Sequence, residues 1–215
     1  MKIGILGSGD VGRSLGRGFA GKGHDVRIGS RNPGKPEIKE WLRRTKGKVS
    51  AGTFADAAAH GEVVLLCTLG QATDKAIDLA GPENFSGKVL IDVTVPLDFS
   101  KGMPPGLYVG VTDSLGEQVQ RKLPKAKVVK CFNIVNNQTM VNPRMKEGVP
   151  DMMICGNDLA AKETVAGFLK DFGWGDPIDL GGIENARWLE ALVPLWVRVG
   201  GTLGSWAIAF KVLRS

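Results

Sequence analysis

Histidine and cysteine are scarce in this 215-residue chain, and each scarcity excludes a class of chemistry. His24 and His60 are the only histidines, and no Cys-x-x-Cys or His-x-x-x-His pair accompanies them. Zinc-type sites need such clusters, so no metal site is expected. Cys67, Cys131 and Cys155 are an odd number and so do not make a fully paired disulfide framework. Each lies in an apolar run, which predicts reduced, buried thiols and a cytoplasmic protein. A basic segment followed by a long apolar stretch is also missing at the start. Met1-Lys2 leads straight into Ile3-Gly4-Ile5-Leu6, so no signal peptide is expected. No internal repeat or low-complexity tract is visible.

The composition is that of an ordinary globular chain. At 43% apolar and 23% charged it has enough apolar mass for a sizeable core, which argues against disorder. The net charge of +6 is spread along the sequence. Its one dense basic group, Arg43-Arg44 with Lys46 and Lys48, reads as a solvated helix end rather than a nucleic-acid arm. A positive excess suits an anionic small-molecule ligand.

Short apolar runs alternate with helical stretches. The strand candidates are 2–6, 25–29, 63–68, 88–93, 127–132 and 151–155, with a weaker one at 48–51. They are nearly continuous rather than alternating, as strands covered on both faces should be. Helices are predicted over 11–22, 36–45, 71–80, 113–122 and 158–171. This alternation predicts an α/β fold with a doubly wound, mostly parallel sheet. The pattern breaks at Gly181-Gly182, which sets residues 1–181 as the nucleotide-binding unit. Residues 182–215 are predicted as C-terminal helices packed on it, not an independent domain. Trp188, Leu192, Leu195, Val199, Leu203, Trp206 and Phe210 form one apolar helical stripe there. Pro194 and Gly200-Gly201 are expected to kink or divide it. The stretch 189–210 is long enough to cross a membrane, but Glu190, Pro194 and Arg198 interrupt it. A helix buried against the sheet or a partner subunit is the reading taken.

The chemistry concentrates in the first turn. Gly7-Ser8-Gly9-Asp10-Val11-Gly12 is a complete G-x-G-x-x-G between a strand and an amphipathic helix. Gly7 permits the tight turn, Gly9 lets a diphosphate approach the backbone, and Gly12 allows close helix–strand packing. The helix start then offers unpaired N–H groups to the diphosphate. At the end of the second strand an NAD site would carry a carboxylate for the ribose hydroxyl. The sequence has Ser30, Arg31 and, after the Pro33-Gly34 turn, Lys35. A hydroxyl, a guanidinium and an ammonium suit a 2′-phosphate, so NADP(H) is predicted.

Ligands of open parallel sheets sit beyond the carboxyl ends of the strands. Those ends carry Thr68-Leu69, Thr94-Val95 and Asn133-Ile134-Val135-Asn136. Thr68, Leu69, Thr94, Val95, Asn133, Val135 and Asn136 are therefore the candidates around the nicotinamide. No strong acid stands out. Asp92 lies within a strand and reads as structural, Asp113 is a candidate for a proton role, and both histidines read as structural, His24 on the surface. Hydride transfer between two redox cofactors needs no strong acid, whereas ketone reduction usually does.

Taken together, the N-terminal G-x-G-x-x-G, Gly29-Ser30-Arg31, Val93-Thr94-Val95-Pro96, Lys130-Cys131-Phe132-Asn133-Ile134 and the closing Leu189–Leu195 segment resemble the deazaflavin (coenzyme F-420)-dependent NADP oxidoreductase family. The resemblance implies a Rossmann-type fold and a hydride passed between NADP(H) and the deazaflavin. It implies that Ser30, Arg31 and Lys35 hold the 2′-phosphate and Ser8 to Val11 the diphosphate. It also implies C-terminal helices that complete the acceptor pocket and often a homodimer. One position departs: archaeal members that reduce the deazaflavin tend to carry His where this chain has Asn133. The Phe132-Asn133 pair is also similar to bacterial relatives and to the NADPH domain of membrane ferric reductases, which pass the hydride to FAD. Asn133 is thus the candidate for positioning the acceptor. FAD or FMN remains the alternative to the deazaflavin, alongside a non-catalytic NADP(H)-sensing module. An imine or β-hydroxyacid reductase would need a longer helical C-terminal domain.

Overall fold

Runs such as Ile3–Leu6 and Val63–Leu66 have no polar face, so they are stable only in a sheet covered on both sides. The computed structural model describes residues 1–213 and shows that arrangement. The strands are β1 (Lys2–Leu6), β2 (Asp25–Gly29), β3 (Lys48–Gly52), β4 (Val63–Leu66), β5 (Val89–Asp92), β6 (Leu97–Asp98), β7 (Gly106–Leu107), β8 (Lys127–Lys130), β9 (Met153–Gly156) and β10 (Ile178–Asp179). The helices are α1 (Asp10–Gly21), α2 (Pro36–Arg44), α3 (Phe54–His60), α4 (Thr73–Ala80), α5 (Leu115–Lys122), α6 (Asn137–Val141), α7 (Leu159–Phe172) and α8 (Ala186–Leu203).

Eight strands form one sheet in the order β10-β9-β8-β5-β4-β1-β2-β3, parallel throughout except for the β8–β9 pair. Residues β1 to β3 step outward in one direction, and the chain then returns past β1 to lay down β4, β5 and β8 in the other. The reversal leaves a crevice beyond the carboxyl ends of β1 and β4, where ligands of such sheets bind. Strands β6 and β7 make a separate two-stranded ribbon between β5 and α5.

Two short helices escape the sequence reading. A capping box starts α3: Thr53 accepts from the Asp56 N–H while Asp56 accepts from the Thr53 N–H. Asn136 caps α6 by accepting from the N–H groups of Gln138 and Thr139.

The C-terminal segment differs from its prediction. It is one helix, α8, which runs unbroken through Pro194 and stops at Gly204 in the left-handed conformation. Trp206 and Phe210 lie beyond it. The helix buries Leu189, Glu190, Val193 and Val197, while part of the predicted stripe points outward, Trp188 at 59%, Leu195 at 52% and Leu203 at 64% exposed, and Leu192 stays half-buried against the core. The buried face is itself an apolar helical stripe, Ala186, Leu189, Val193 and Val197, and it also carries Glu190, which reaches a buried partner described below. Residues 204–213 then strap back over the molecule. Asn136 Nδ2 donates to Trp206 O at 2.6 Å, Trp196 Nε1 to Ile208 O at 2.9 Å, and Asp151 N to Phe210 O at 3.1 Å. Among the described residues no helix is long and apolar enough to cross a membrane.

His24 is half-buried rather than fully exposed. Its ring packs edge-on against Phe19 and Phe168, and burial lowers its pKa. His60 Nε2 lies 3.1 Å from Asp25 O, tying α3 to β2.

Candidate active site

The turn after β1 is built by close approach. A Cβ on Gly7, at φ 122°, would sit 2.4 Å from Cys67 O, and one on Gly12 would sit 2.0 Å from Gly7 O. Only glycine fits either place. At Gly9, by contrast, a Cβ would meet nothing within 4 Å. Helix α1 starts there without a side-chain cap, so its first N–H groups face open space.

A cavity of about 470 Å³ opens over this turn. It is lined by Gly7, Ser8, Gly9, Asp10 and Val11 on one side, Ser30, Arg31 and Lys35 on a second, and Thr68 and Leu69 on a third. All ten were singled out in the sequence. The Asn32 N–H donates to Ser30 Oγ at 3.2 Å and the Gly34 N–H to Asn32 Oδ1 at 3.1 Å, and this turn carries Lys35 back to the cavity. Among the described residues neither Arg31 nor Lys35 pairs with a carboxylate, so both charges stand ready for an anion. Phe54, Cys67, Ala72, Lys75, Ala76 and Leu79 complete the wall. Phe54 comes from α3, Lys75, Ala76 and Leu79 from α4, and Cys67 and Ala72 from the segment between β4 and α4.

A second cavity, of about 270 Å³, meets the first at Asp10 and Val11. Val95, Asn133, Val135 and Asn136 line it. Val93, Leu97 and Met140 join them, and Val193, Trp196 and Val197 of α8 form the opposite wall. It is a narrow, largely apolar slot. Thr94 lies outside both cavities, its N–H and hydroxyl donating to Asp92 Oδ1 at 2.9 and 2.6 Å. Gly12 is also outside, consistent with its packing role.

Asn133 is held with unusual care. Phe132 before it is fully buried and has φ 67°, a left-handed conformation that a bulky residue adopts only under constraint. Asn133 is itself 7% exposed, and its Nδ2 donates to Leu189 O at 2.8 Å. Its Oδ1 is buried with no partner. Buried acceptors are normally satisfied, and among the residues lining the two cavities this is the one buried side-chain polar atom without a partner.

Behind the slot lies a buried charge cluster. Lys130 Nζ is 2.9 Å from Asp92 Oδ2 and 2.6 Å from Glu190 Oε1, with all three side chains buried. Glu190 also accepts from the Leu115 and Gly116 N–H groups at the start of α5. Burial alone would lower the Lys130 pKa, but the Asp92 and Glu190 carboxylates outweigh it and hold the ammonium above its usual value. Asp92 is thus structural, as read. Asp113 is not a proton donor. Arg121 donates to both its oxygens at 3.0 and 2.8 Å, holding the carboxyl down at about 2, and it lines neither cavity. It sits just before the Ser114 cap of α5. Of the residues lining the two cavities, Asp10 is the one carboxylate, and it pairs with Arg13 on the exposed side of α1.

The cysteines are free. Burial pushes the Cys67 and Cys131 thiols far up, and Cys155 up to about 12. Among the described residues no group of three metal-ligating side chains comes together.

The sheet order, glycine turn and switch-point crevice define a doubly wound, Rossmann-type α/β protein. Residues 2–96 match the family model described as NADP oxidoreductase, coenzyme F420-dependent. The chain is 32% identical over 207 residues to the F420-dependent NADP reductase of Methanocaldococcus jannaschii, covering 92% of this chain and 91% of that one. It is also 32% identical over 204 residues to metalloreductase STEAP3 of Rattus norvegicus, covering 91% of this chain but only 38% of that longer protein. A crystal structure from Arthrobacter sp. FB24, assigned to an F420-dependent NADP reductase, superimposes with a TM-score of 0.95 at 46% identity over the whole of both chains. The chain belongs to the coenzyme F420-dependent NADP oxidoreductase family.

Proposed function

We propose that this protein binds NADP(H) in the larger cavity and passes a hydride between it and a deazaflavin of the coenzyme F-420 type in the slot. The observation that carries this reading is the unpartnered Asn133 Oδ1 in a slot that joins the nucleotide cavity at Asp10 and Val11. Family membership supports the same chemistry.

When bound, the nicotinamide and the deazaflavin supply the hydride donor and acceptor; the chain supplies their geometry. Gly7 to Val11 would hold the diphosphate at the start of α1. Ser30, Arg31 and Lys35 would hold the 2′-phosphate, and Thr68 and Leu69 the nicotinamide-side ribose. Val95 and Val135, facing Val193 and Trp196, would keep water from the rings. Asn133 Oδ1 would accept from a carboxamide or ring N–H and fix the ring's orientation. With no free carboxylate lining the slot, these residues orient rather than exchange protons, and orientation is a large part of what a hydride transfer needs.

The test is the bleaching of the deazaflavin's visible band by purified protein and NADPH, with FAD and FMN in parallel. Bleaching of the deazaflavin alone supports the reading. A second reading, an NADPH-dependent flavin or ferric reductase, is favoured by the likeness to the metalloreductase. Turnover of FAD or FMN with none of the deazaflavin would establish it in place of the first. The outward apolar face of α8, with Trp188 and Leu195, fits a second copy of the chain, and light scattering would show a dimer. The three free thiols suit a reducing compartment such as the cytoplasm.

A further inference from the structure

We propose that Trp206, in the strap after α8, is a positioning residue for hydride transfer, an inference that rests on the reading of the slot above. Trp206 lines neither the nucleotide cavity nor the slot. It acts through two residues that do line the slot, Asn136 and Trp196.

The two walls of the slot are held differently. On the sheet side, Val93, Val135 and Met140 are buried in the main core. The opposite wall is α8, whose inner half is fixed by Glu190 on Lys130. Trp196 lies nearly two turns further out. Its Nε1 donates to Ile208 O at 2.9 Å, and that carbonyl belongs to the strap. Asn136, on the sheet side, is tied to the strap as well. Its Oδ1 accepts from the Gln138 and Thr139 N–H groups, and its Nδ2 donates to Trp206 O at 2.6 Å. Each wall therefore carries one side chain whose orientation is set by a strap carbonyl.

The Trp206 ring seats the strap. It lies on the backbone of α8 at Gly200, where a Cβ would sit 2.8 Å from its Cε3 and 2.9 Å from its Cζ3. On its other side is the Trp196 ring, with centroids 5.7 Å apart and planes tilted by 37°. At its far end the strap is held by Asp151, which donates from N to Phe210 O and accepts at Oδ2 from Val212 N. Trp206 is itself exposed, outside the core of buried side chains. A segment with few buried apolar contacts yields locally, without unfolding the rest. Hydride transfer is sensitive to such local shifts, since a misplacement of about 1 Å can cost about a hundredfold in rate.

The test is the single-turnover rate of NADPH with the deazaflavin, both saturating, together with the NADPH Kd from calorimetry. Trp206→Ala should slow that rate at least about tenfold and leave the NADPH Kd unchanged, with the deazaflavin KM rising by less than the rate falls. Trp206→Phe keeps a ring on Gly200 and should recover most of the rate. Trp196→Phe keeps the wall but removes the N–H given to Ile208 O, and it should slow the same step. Combined with Trp206→Ala it should add little, because both act through one link. Gly200→Val fills the ring's seat from the α8 side and should reproduce the Trp206→Ala result. An unchanged rate, a parallel loss of NADPH affinity, or additive Trp196 and Trp206 effects would overturn the inference. No turnover of the deazaflavin by the natural protein would overturn the reading of the slot itself, and this inference with it.

Discussion

Lys130→Met removes the cation from a buried triad and leaves two carboxylates facing each other. In the native protein Lys130 Nζ lies 2.9 Å from Asp92 and 2.6 Å from Glu190, and all three side chains are at most 2% exposed. Breaking one side of a buried ion pair typically costs about 3–5 kcal/mol, because a charge is left uncompensated. Here each carboxylate keeps two donors: Thr94 N and Oγ on Asp92, Leu115 N and Gly116 N on Glu190. Those bonds place the loss at the lower end, about 3 kcal/mol. For a domain of this length that lowers Tm by about 6–12 °C. Urea unfolding should show a lower midpoint at unchanged slope. The penalty falls on the charged forms of the two carboxylates, and protonation relieves it. The gap to the natural protein should therefore narrow as pH falls from neutrality toward about 4. Adding Glu190→Gln to the variant should recover part of the loss. A Lys130→Met protein within about 1 kcal/mol of the natural one would refute the reasoning, since that is the scale of an exposed pair.

Arg31→Ala should cut the preference for NADPH over NADH by about tenfold to a hundredfold in kcat/KM, the worth of charge-assisted bonds to a phosphate, and an unchanged preference would sink the 2′-phosphate assignment. Gly12→Ala forces a Cβ against Gly7 O, so NADPH affinity should fall by about tenfold or more in a calorimetric titration. A wild-type Kd would show that the turn tolerates the shift. Cys131 and Cys155 should resist a disulfide reagent at about pH 8 in the native protein and react at once in denaturant, because burial keeps them protonated. Rapid native modification would contradict that burial. Asp113, depressed to about 2 by Arg121, stabilises the fold above the ordinary carboxylate range, and this contribution is lost as pH falls toward about 2. Arg121→Ala should be less stable at neutral pH, with the difference closing between about pH 4 and 2; a difference independent of pH would rule out the pair as its source.

What the sequence could and could not reveal follows from the range of the forces involved. The β1–α1 turn was legible because its constraints are local: Gly7 and Gly12 are fixed by backbone contacts within one strand–turn–helix unit and its neighbour. Arg31 and Lys35 were legible because a strand end and a Pro-Gly turn dictate where they go. The α8 wall of the slot was not. Val193 and Trp196 face it from the helix whose Glu190 meets Lys130, a partner in a distant strand that the spacing around Glu190 does not disclose. The stripe through Trp188 and Leu195 was a real pattern on the wrong side. Helix α3 had a local signal, Thr53 followed three residues later by Asp56, that was there to be read. For α6 the signal was thinner: five residues and a single Asn cap.

The two cavities also differ in how far apart along the chain their walls originate, and this sets an order of assembly. The nucleotide cavity is built from residues 7 to 79, joined by successive β-α-β crossovers. The slot waits for longer closures: Asn133 to Leu189 spans 56 residues, Asn136 to Trp206 spans 70, and Leu115 to Glu190 spans 75. Distant contacts carry a larger entropic cost before they return any energy and form more slowly than local ones. A refolding chain should therefore recover its nucleotide cavity first and become competent for hydride transfer only when α8 and the strap have docked.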